Sequence, residues 1–220
     1  MNIDQARFNM VEQQVRTWEV LDPRVLDVLQ QVPREDFVPA HYTQLAFADL
    51  SIPLGHDQVM MKPVVEGRVL QSLALQGNEN VLEIGTGSGF MTACLAALSA
   101  KVDSVEYHKA LSKRACEKLK EWNSEHADKI TLSTGDAMTD WEPGQQYDVV
   151  VVTGSAPDVP ERFLQWLRPG GRLFIVVGES PLMEAITLTR QADGQLQRES
   201  FFETDVPALI HSTRPEPFKF

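Results

Sequence analysis

The apolar positions change period near residue 62. Before it, Ala6, Met10, Val11 and Val15 recur at helical spacing over residues 4–18, with Asp4 as a capping residue. Asp22-Pro23 opens a second helix, a cap followed by proline in the first turn, and that helix carries Val25, Leu26, Val28 and Leu29. Pro33 and Pro39 then punctuate an irregular stretch through His56. A run of that length without periodicity is functional or covers something. From residue 62 onward, short apolar runs alternate with helical patterns. Helices are expected over residues 63–75, 88–98, 109–122 and 160–167, and strands over 80–84, 102–106, 130–133, 147–153 and 172–177. The part after residue 183 reads as a last pair of strands around Gln191-Ala192-Asp193-Gly194, and the proline-interrupted residues 215–220 read as a tail.

Alternation of this kind implies right-handed βαβ units and a mainly parallel sheet. The expected architecture is an α/β Rossmann-like domain over residues 63–220, with a mostly parallel seven-stranded sheet. Residues 1–62 are expected to form a helical lobe across its ligand crevice.

Composition narrows the partners. The chain carries 31 Asp and Glu against 20 Lys and Arg, a net charge of −11. Its basic residues are scattered, so it gains nothing from the phosphate electrostatics behind nucleic-acid affinity. Nucleic acid is excluded as an expected partner. No apolar run reaches membrane-spanning length, and residues 1–5 lack the basic-then-apolar order of a signal peptide. Cys94 and Cys116 fall in helical segments without metal-ligand spacing, which fits reduced thiols, a cytoplasmic location and no metal site. Oligomeric state is not legible.

The chemistry concentrates in three loops. Val81-Leu82-Glu83-Ile84-Gly85-Thr86-Gly87-Ser88-Gly89-Phe90 is a buried strand entering a glycine-rich turn and then a helix, whose first N–H groups face a ligand. A dinucleotide fingerprint requires a small residue where Phe90 stands, which argues against a nicotinamide cofactor. Alone, the turn also fits a tight strand–helix connection. Glu106, followed by Tyr107, ends the next strand about twenty residues after the first glycine, the position of a ribose-binding carboxylate. Gly135-Asp136-Ala137 follows the third strand and Thr153 ends the fourth. All these loops fall at one sheet edge, where open α/β sheets bind ligands.

The Glu-x-Gly-x-Gly-x-Gly spacing resembles the first motif of class I methyltransferases. The resemblance implies S-adenosylmethionine as cofactor, held by Glu83, Gly85, Thr86, Gly87, Ser88, Gly89, Glu106, Tyr107, Asp136, Ala137 and Thr153, with Asp136 at the adenine amine. Met10-Val11-Glu12-Gln13-Gln14, Val32-Pro33-Arg34-Glu35-Asp36-Phe37-Val38-Pro39, residues 46–55, Gln58, Pro63 and Leu167-Arg168-Pro169-Gly170-Gly171 extend it. Together they resemble the protein-L-isoaspartate O-methyltransferases up to about residue 178. That family methylates a carboxylate of isoaspartyl residues in damaged protein, which implies a protein or peptide substrate. A carboxylate is already nucleophilic at neutral pH, so positioning and water exclusion suffice without a general base.

One departure concerns the acceptor. The family's Gly-Gln-Thr-Ile-Ser-x-Pro element is here Asp57-Gln58-Val59-Met60-Met61-Lys62-Pro63, so two hydroxyls are replaced by Val59 and Met61. Asp49, Gln58, Val59, Met61 and Ser155 are the acceptor-site candidates, Ser155 as a replacement hydroxyl. Lys62 is either a charge for an acceptor carboxylate or an exposed lysine. Met60 and Met61 either pack the pocket wall or remake the acceptor site, and the second reading predicts weak isoaspartyl methylation. Two other classes stand beside the family reading. A nucleic-acid amino-methyltransferase disagrees with Thr153-Gly154-Ser155-Ala156 and with the acidity, whereas a non-catalytic cofactor-binding adaptor agrees with the lost hydroxyls.

Overall fold

The computed structural model describes residues 2–122 and 125–212. The expected tail at residues 215–220 lies outside them. Helices α1 (Ile3–Asn9), α2 (Pro23–Gln31) and α3 (Arg34–Phe37) open the chain, followed by a hairpin of β1 (Ile52–Gly55) and β2 (Gln58–Met60). Then come α4 (Pro63–Leu73), β3 (Asn80–Ile84), α5 (Phe90–Leu98), β4 (Lys101–Glu106), α6 (Lys109–Trp122), β5 (Ile130–Thr134) and β6 (Tyr147–Ala156). The chain continues through α7 (Glu161–Gln165), β7 (Leu167–Glu179), β8 (Leu182–Arg190) and β9 (Leu196–Thr204).

Seven strands form one sheet in the order β5-β4-β3-β6-β7-β8-β9. The first five are mutually parallel and β8 and β9 are antiparallel additions. The expected α/β architecture is therefore present. The order reverses at β3, which places a crevice at the carboxyl ends of β3, β4 and β6.

Several elements depart from the sequence reading. Residues 4–18 do not form one helix: a π-helical turn (Met10–Val15) and a 3-10 turn (Arg16–Trp18) follow α1. The irregular stretch contains the β1–β2 hairpin, turned by Gly55, His56 and Asp57 at positive φ. Helix α5 starts at Phe90, because Gly89 sits at φ +87° and ends the turn before it. Leu167 belongs to β7 rather than to the preceding helix, and residues 168–171 loop out between the pairs Tyr147↔Leu167 and Val149↔Arg172.

The alternation predicts burial well. β3 and β6 are covered on both faces, as helix-flanked parallel strands must be. A hydrophobic cluster runs without interruption from Met10, Val15 and Leu29 through Leu70 and Phe90 to Val149 and Phe174, so residues 3–61 pack onto α4, α5 and one sheet face. Buried Arg34 fastens that packing. Its guanidinium donates to the carbonyls of Ala46 and Met61, each at 2.7 Å, and pairs with buried Glu66 of α4. Burial pushes Glu66 up to about 8 even against the attraction of Arg34. The pair holds the wall that carries Met61.

Candidate active site

The crevice at the switch point has two connected halves, which share Gln58, Gly85, Glu106 and Leu209. The first spans about 510 Å³ including its open mouth and is walled by Val59, Met60, Met61, Thr86, Gly87, Ser88, Met91, Leu111, Thr153 and Gly154. The second, about 430 Å³, is walled by Tyr107, His108, Gly135, Asp136, Ala137, Met138 and Ile210.

Gly85, Gly87 and Gly89 have φ of +99°, +55° and +87°. At Gly85 a Cβ would lie 2.5 Å from Thr153 Oγ1, so only glycine lets the loop pass this close to β6. Two extra residues in β6 between the pairs Val151↔Phe174 and Ser155↔Val176 make the bulge that turns Thr153 toward the loop. The Thr153 hydroxyl donates to the carbonyls of Gly85 (2.6 Å) and Ile84 (3.1 Å), so it braces the loop.

Glu106 lies at the junction of the two halves. Its carboxylate accepts the Gly87 N–H and the His108 N–H, each at 2.9 Å, and joins the glycine loop to the end of β4. Asp136 accepts the Met138 N–H at 2.9 Å on Oδ1 and contacts His211 Nδ1 at 2.5 Å through Oδ2. Burial alone would raise the Asp136 pKa; hydrogen bonds from His211, Thr139 and Met138 outweigh it and hold the group below the usual carboxylate range.

Most of the expected site residues gather here: Gln58, Val59, Met61, Gly85, Thr86, Gly87, Ser88, Glu106, Tyr107, Asp136, Ala137 and Thr153 all line the crevice. Four do not. Glu83 is fully buried behind the loop, where Oε2 accepts from Thr92 (2.5 Å) and Ser104 (2.6 Å) and Oε1 has no hydrogen-bond partner among the described residues. Burial, opposed by the Ser104 and Thr92 hydroxyls, pushes Glu83 up to about 8. Gly89 supports α5 against α6 near Ala115 and Leu119. Ser155 offers no hydroxyl to an acceptor, because it is buried and donates to the Val206 carbonyl at 2.9 Å. Asp49 lines a neighbouring groove of about 690 Å³, with Trp18, Lys62, Arg68 and Phe202, separated from the crevice by Met61.

Sequence reasoning missed the segment after β9. The Ser155 N–H donates to Pro207 O (3.0 Å) and the Leu209 N–H to Ser155 O (2.8 Å), which carries Leu209 between the two halves. Gly154 permits the crossing: a Cβ there would stand 3.0 Å from Leu209 Cδ2 and 3.2 Å from Pro207 O. It also missed the hairpin's closure over the loop, made by the His56–His108 ring stack (4.5 Å) and by Arg114 donating to Leu54 O at 2.7 Å. The turn residues Gly55-His56-Asp57 were its available signal.

The crevice suits an adenosyl ligand. Its glycine loop exposes backbone, Glu106 retains acceptor capacity beyond its two amides, and Asp136 stands at the far end with Tyr107 and apolar Ala137, Met138 and Ile210. Parallel sheet, switch-point crevice and glycine loop define a class I methyltransferase fold. The family model for protein-L-isoaspartate(D-aspartate) O-methyltransferase matches residues 5–208. A protein-L-isoaspartate O-methyltransferase of Trichlorobacter lovleyi is 36% identical over 200 residues, covering 91% of each chain. One from Rhodopseudomonas palustris is 35% identical over 212 residues, covering 94% of this chain and 96% of its own. A Plasmodium falciparum protein described as a protein-L-isoaspartate O-methyltransferase, in complex with S-adenosyl-L-homocysteine, shares the fold with a TM-score of 0.81 at 20% identity, over 92% of this chain and 97% of its own. The chain belongs to the protein-L-isoaspartate O-methyltransferase family.

Proposed function

We propose that this protein transfers the methyl group of S-adenosylmethionine to a carboxylate of an isoaspartyl-containing polypeptide. The carrying observation is the convergence of the glycine loop, Glu106 and Asp136 on one crevice with Gln58, Val59 and Met61 at its other wall. Glu106 is assigned to the ribose hydroxyls, Asp136 to the adenine amine, and Gly85, Thr86, Gly87 and Ser88 to the backbone cradle. Bound S-adenosylmethionine would supply an electrophilic sulfonium methyl. The chain's task is then to orient a carboxylate, to exclude water with Met60, Met61, Met91 and Leu209, and to remain otherwise uninvolved, since the nucleophile needs no proton removed. Residues 1–62 act as the covering lobe: the hairpin reaches the glycine loop, with Leu54 Cδ1 3.5 Å from where a Gly87 side chain would begin. Among the described residues no helix is long and apolar enough to cross a membrane.

A second reading is favoured by one observation. Val59 and Met61 line the crevice without a hydroxyl, Ser155 is turned away, and the Thr153 hydroxyl is committed to carbonyls. A polypeptide acceptor other than isoaspartate follows from that wall, because an acceptor carboxylate loses the donors the family's Thr and Ser provide.

Methyl transfer from labelled S-adenosylmethionine, measured with an isoaspartyl peptide and its aspartyl counterpart, tests both. Transfer to the isoaspartyl peptide alone supports the first reading. Transfer to neither, with S-adenosylhomocysteine still binding, supports the second.

A further inference from the structure

The adenine end of the crevice is closed by the chain's own segment after β9, and the fastening is specific. Leu209 and Ile210 line the second half of the crevice, whereas the next residue, His211, stands on the outer side of Asp136. His211 Nδ1 lies 2.5 Å from Asp136 Oδ2, and the His211 ring meets Tyr107 edge-on at 5.7 Å between centroids. The His211 backbone is at φ +62°, a left-handed conformation uncommon for a residue that bears a β-carbon. The Ser212 N–H donates to Leu209 O at 3.1 Å and its Oγ donates to the same carbonyl at 2.6 Å, closing the turn that presents the imidazole.

We infer that His211 is a positioning residue of the donor pocket: by engaging Asp136 from outside, it fixes that carboxylate for the adenine amine and latches Leu209 and Ile210 against the ligand. The inference rests on the donor-site reading given above. Two features give it direction. Asp136 keeps unused lone pairs after accepting from Met138 and His211, so a ligand amine adds to the arrangement without displacing the imidazole. His211 does not line the crevice, so it acts through Asp136 and through the segment that carries it. Among the described residues, the groups facing His211 are Asp136, after β5, and Tyr107, after β4, with His108 beyond Tyr107. Asp136 is the only carboxylate among these. The latch is the hydrogen bond from the imidazole to this carboxylate, which ties the segment after β9 to the loop after β5.

The test is calorimetric titration with S-adenosylhomocysteine for the wild type, His211→Ala and His211→Asn. Asparagine tolerates left-handed φ and donates through its amide. The alanine variant should bind about tenfold more weakly than wild type, corresponding to one hydrogen bond. The asparagine variant should recover most of the affinity. Wild-type affinity in the alanine variant would overturn the inference, as would tighter binding on losing His211, which would make the imidazole a competitor for Asp136. Absence of binding by every form, wild type included, would overturn the donor-site reading itself.

Discussion

The Thr153 hydroxyl donates to the Gly85 carbonyl at 2.6 Å and fills the space that a side chain on Gly85 would enter, with Oγ1 2.5 Å from an ideal Cβ. Loop and strand bulge are therefore fitted to each other, and the fit has two separable parts. Gly85→Ala meets both the overlap and a φ of +99°. The backbone conformation alone costs an alanine about 1–2 kcal/mol. Adding Thr153→Ala removes the overlap and leaves the φ penalty together with the loss of the hydroxyl's bonds to Gly85 and Ile84. The double variant should thus lose less stability than the two single variants summed, which thermal denaturation of the four proteins measures. Strict additivity would show that the two residues do not share one space.

Glu106 serves the glycine loop and, on the proposed reading, the ribose as well. Glu106→Ala should lower S-adenosylhomocysteine affinity about 10- to 100-fold, the range for losing hydrogen bonds to a charged acceptor. Glu106→Gln keeps a carbonyl for one of the two amides and should fall between. Unchanged dissociation constants in titration calorimetry would reduce Glu106 to a brace between Gly87 and His108.

The sheet was readable because its strands are short apolar runs whose burial does not depend on distant partners. Asn80–Ile84 and Lys109–Trp122 fall where the periodicity places them. The last hairpin announced itself through Gln191-Ala192-Asp193-Gly194, where Gly194 takes φ +84° and its N–H donates to Gln191 O. What escaped is non-local. Nothing near Val206 or Leu209 indicates that Ser155, more than fifty residues earlier, supplies their hydrogen-bond partners. The same holds for Glu83: its place in the motif suggests ligand contact, and only the packing of Thr92 and Ser104 around it reveals a buried support.

That support has a pH signature. Burial raises Glu83 from its ordinary 4.5 to about 8 in the folded protein. Between those values the folded state holds a proton that the unfolded state releases, so this group's contribution to stability declines as pH rises. Glu83→Gln cannot ionise, and its melting temperature should fall less than that of wild type from about pH 5 to about pH 8. Glu66, raised to about 8 as well, keeps some slope in both proteins. Identical pH profiles would mean that Glu83 stays ionised when folded.

The acceptor wall carries the sharpest prediction. Met61 is buried, its carbonyl is held by Arg34, and its side chain separates the donor crevice from the groove that contains Asp49 and Lys62. An acceptor carboxylate reaching the crevice past this wall meets no hydroxyl at Val59 or Met61. If such hydroxyls hold the carboxylate in line with the methyl, wild-type turnover of an isoaspartyl peptide should be low, by about 10- to 100-fold for each missing charge-assisted bond. Val59→Thr with Met61→Ser should raise kcat/KM for that peptide. Shortening Met61 in a packed wall also removes buried volume at a cost of up to about 2–5 kcal/mol, so the comparison belongs below the variant's melting transition. A gain in turnover without a change in S-adenosylhomocysteine affinity would place the effect on the acceptor side. Efficient wild-type turnover that the double substitution fails to improve would show that the methionine wall positions an isoaspartyl carboxylate by shape alone.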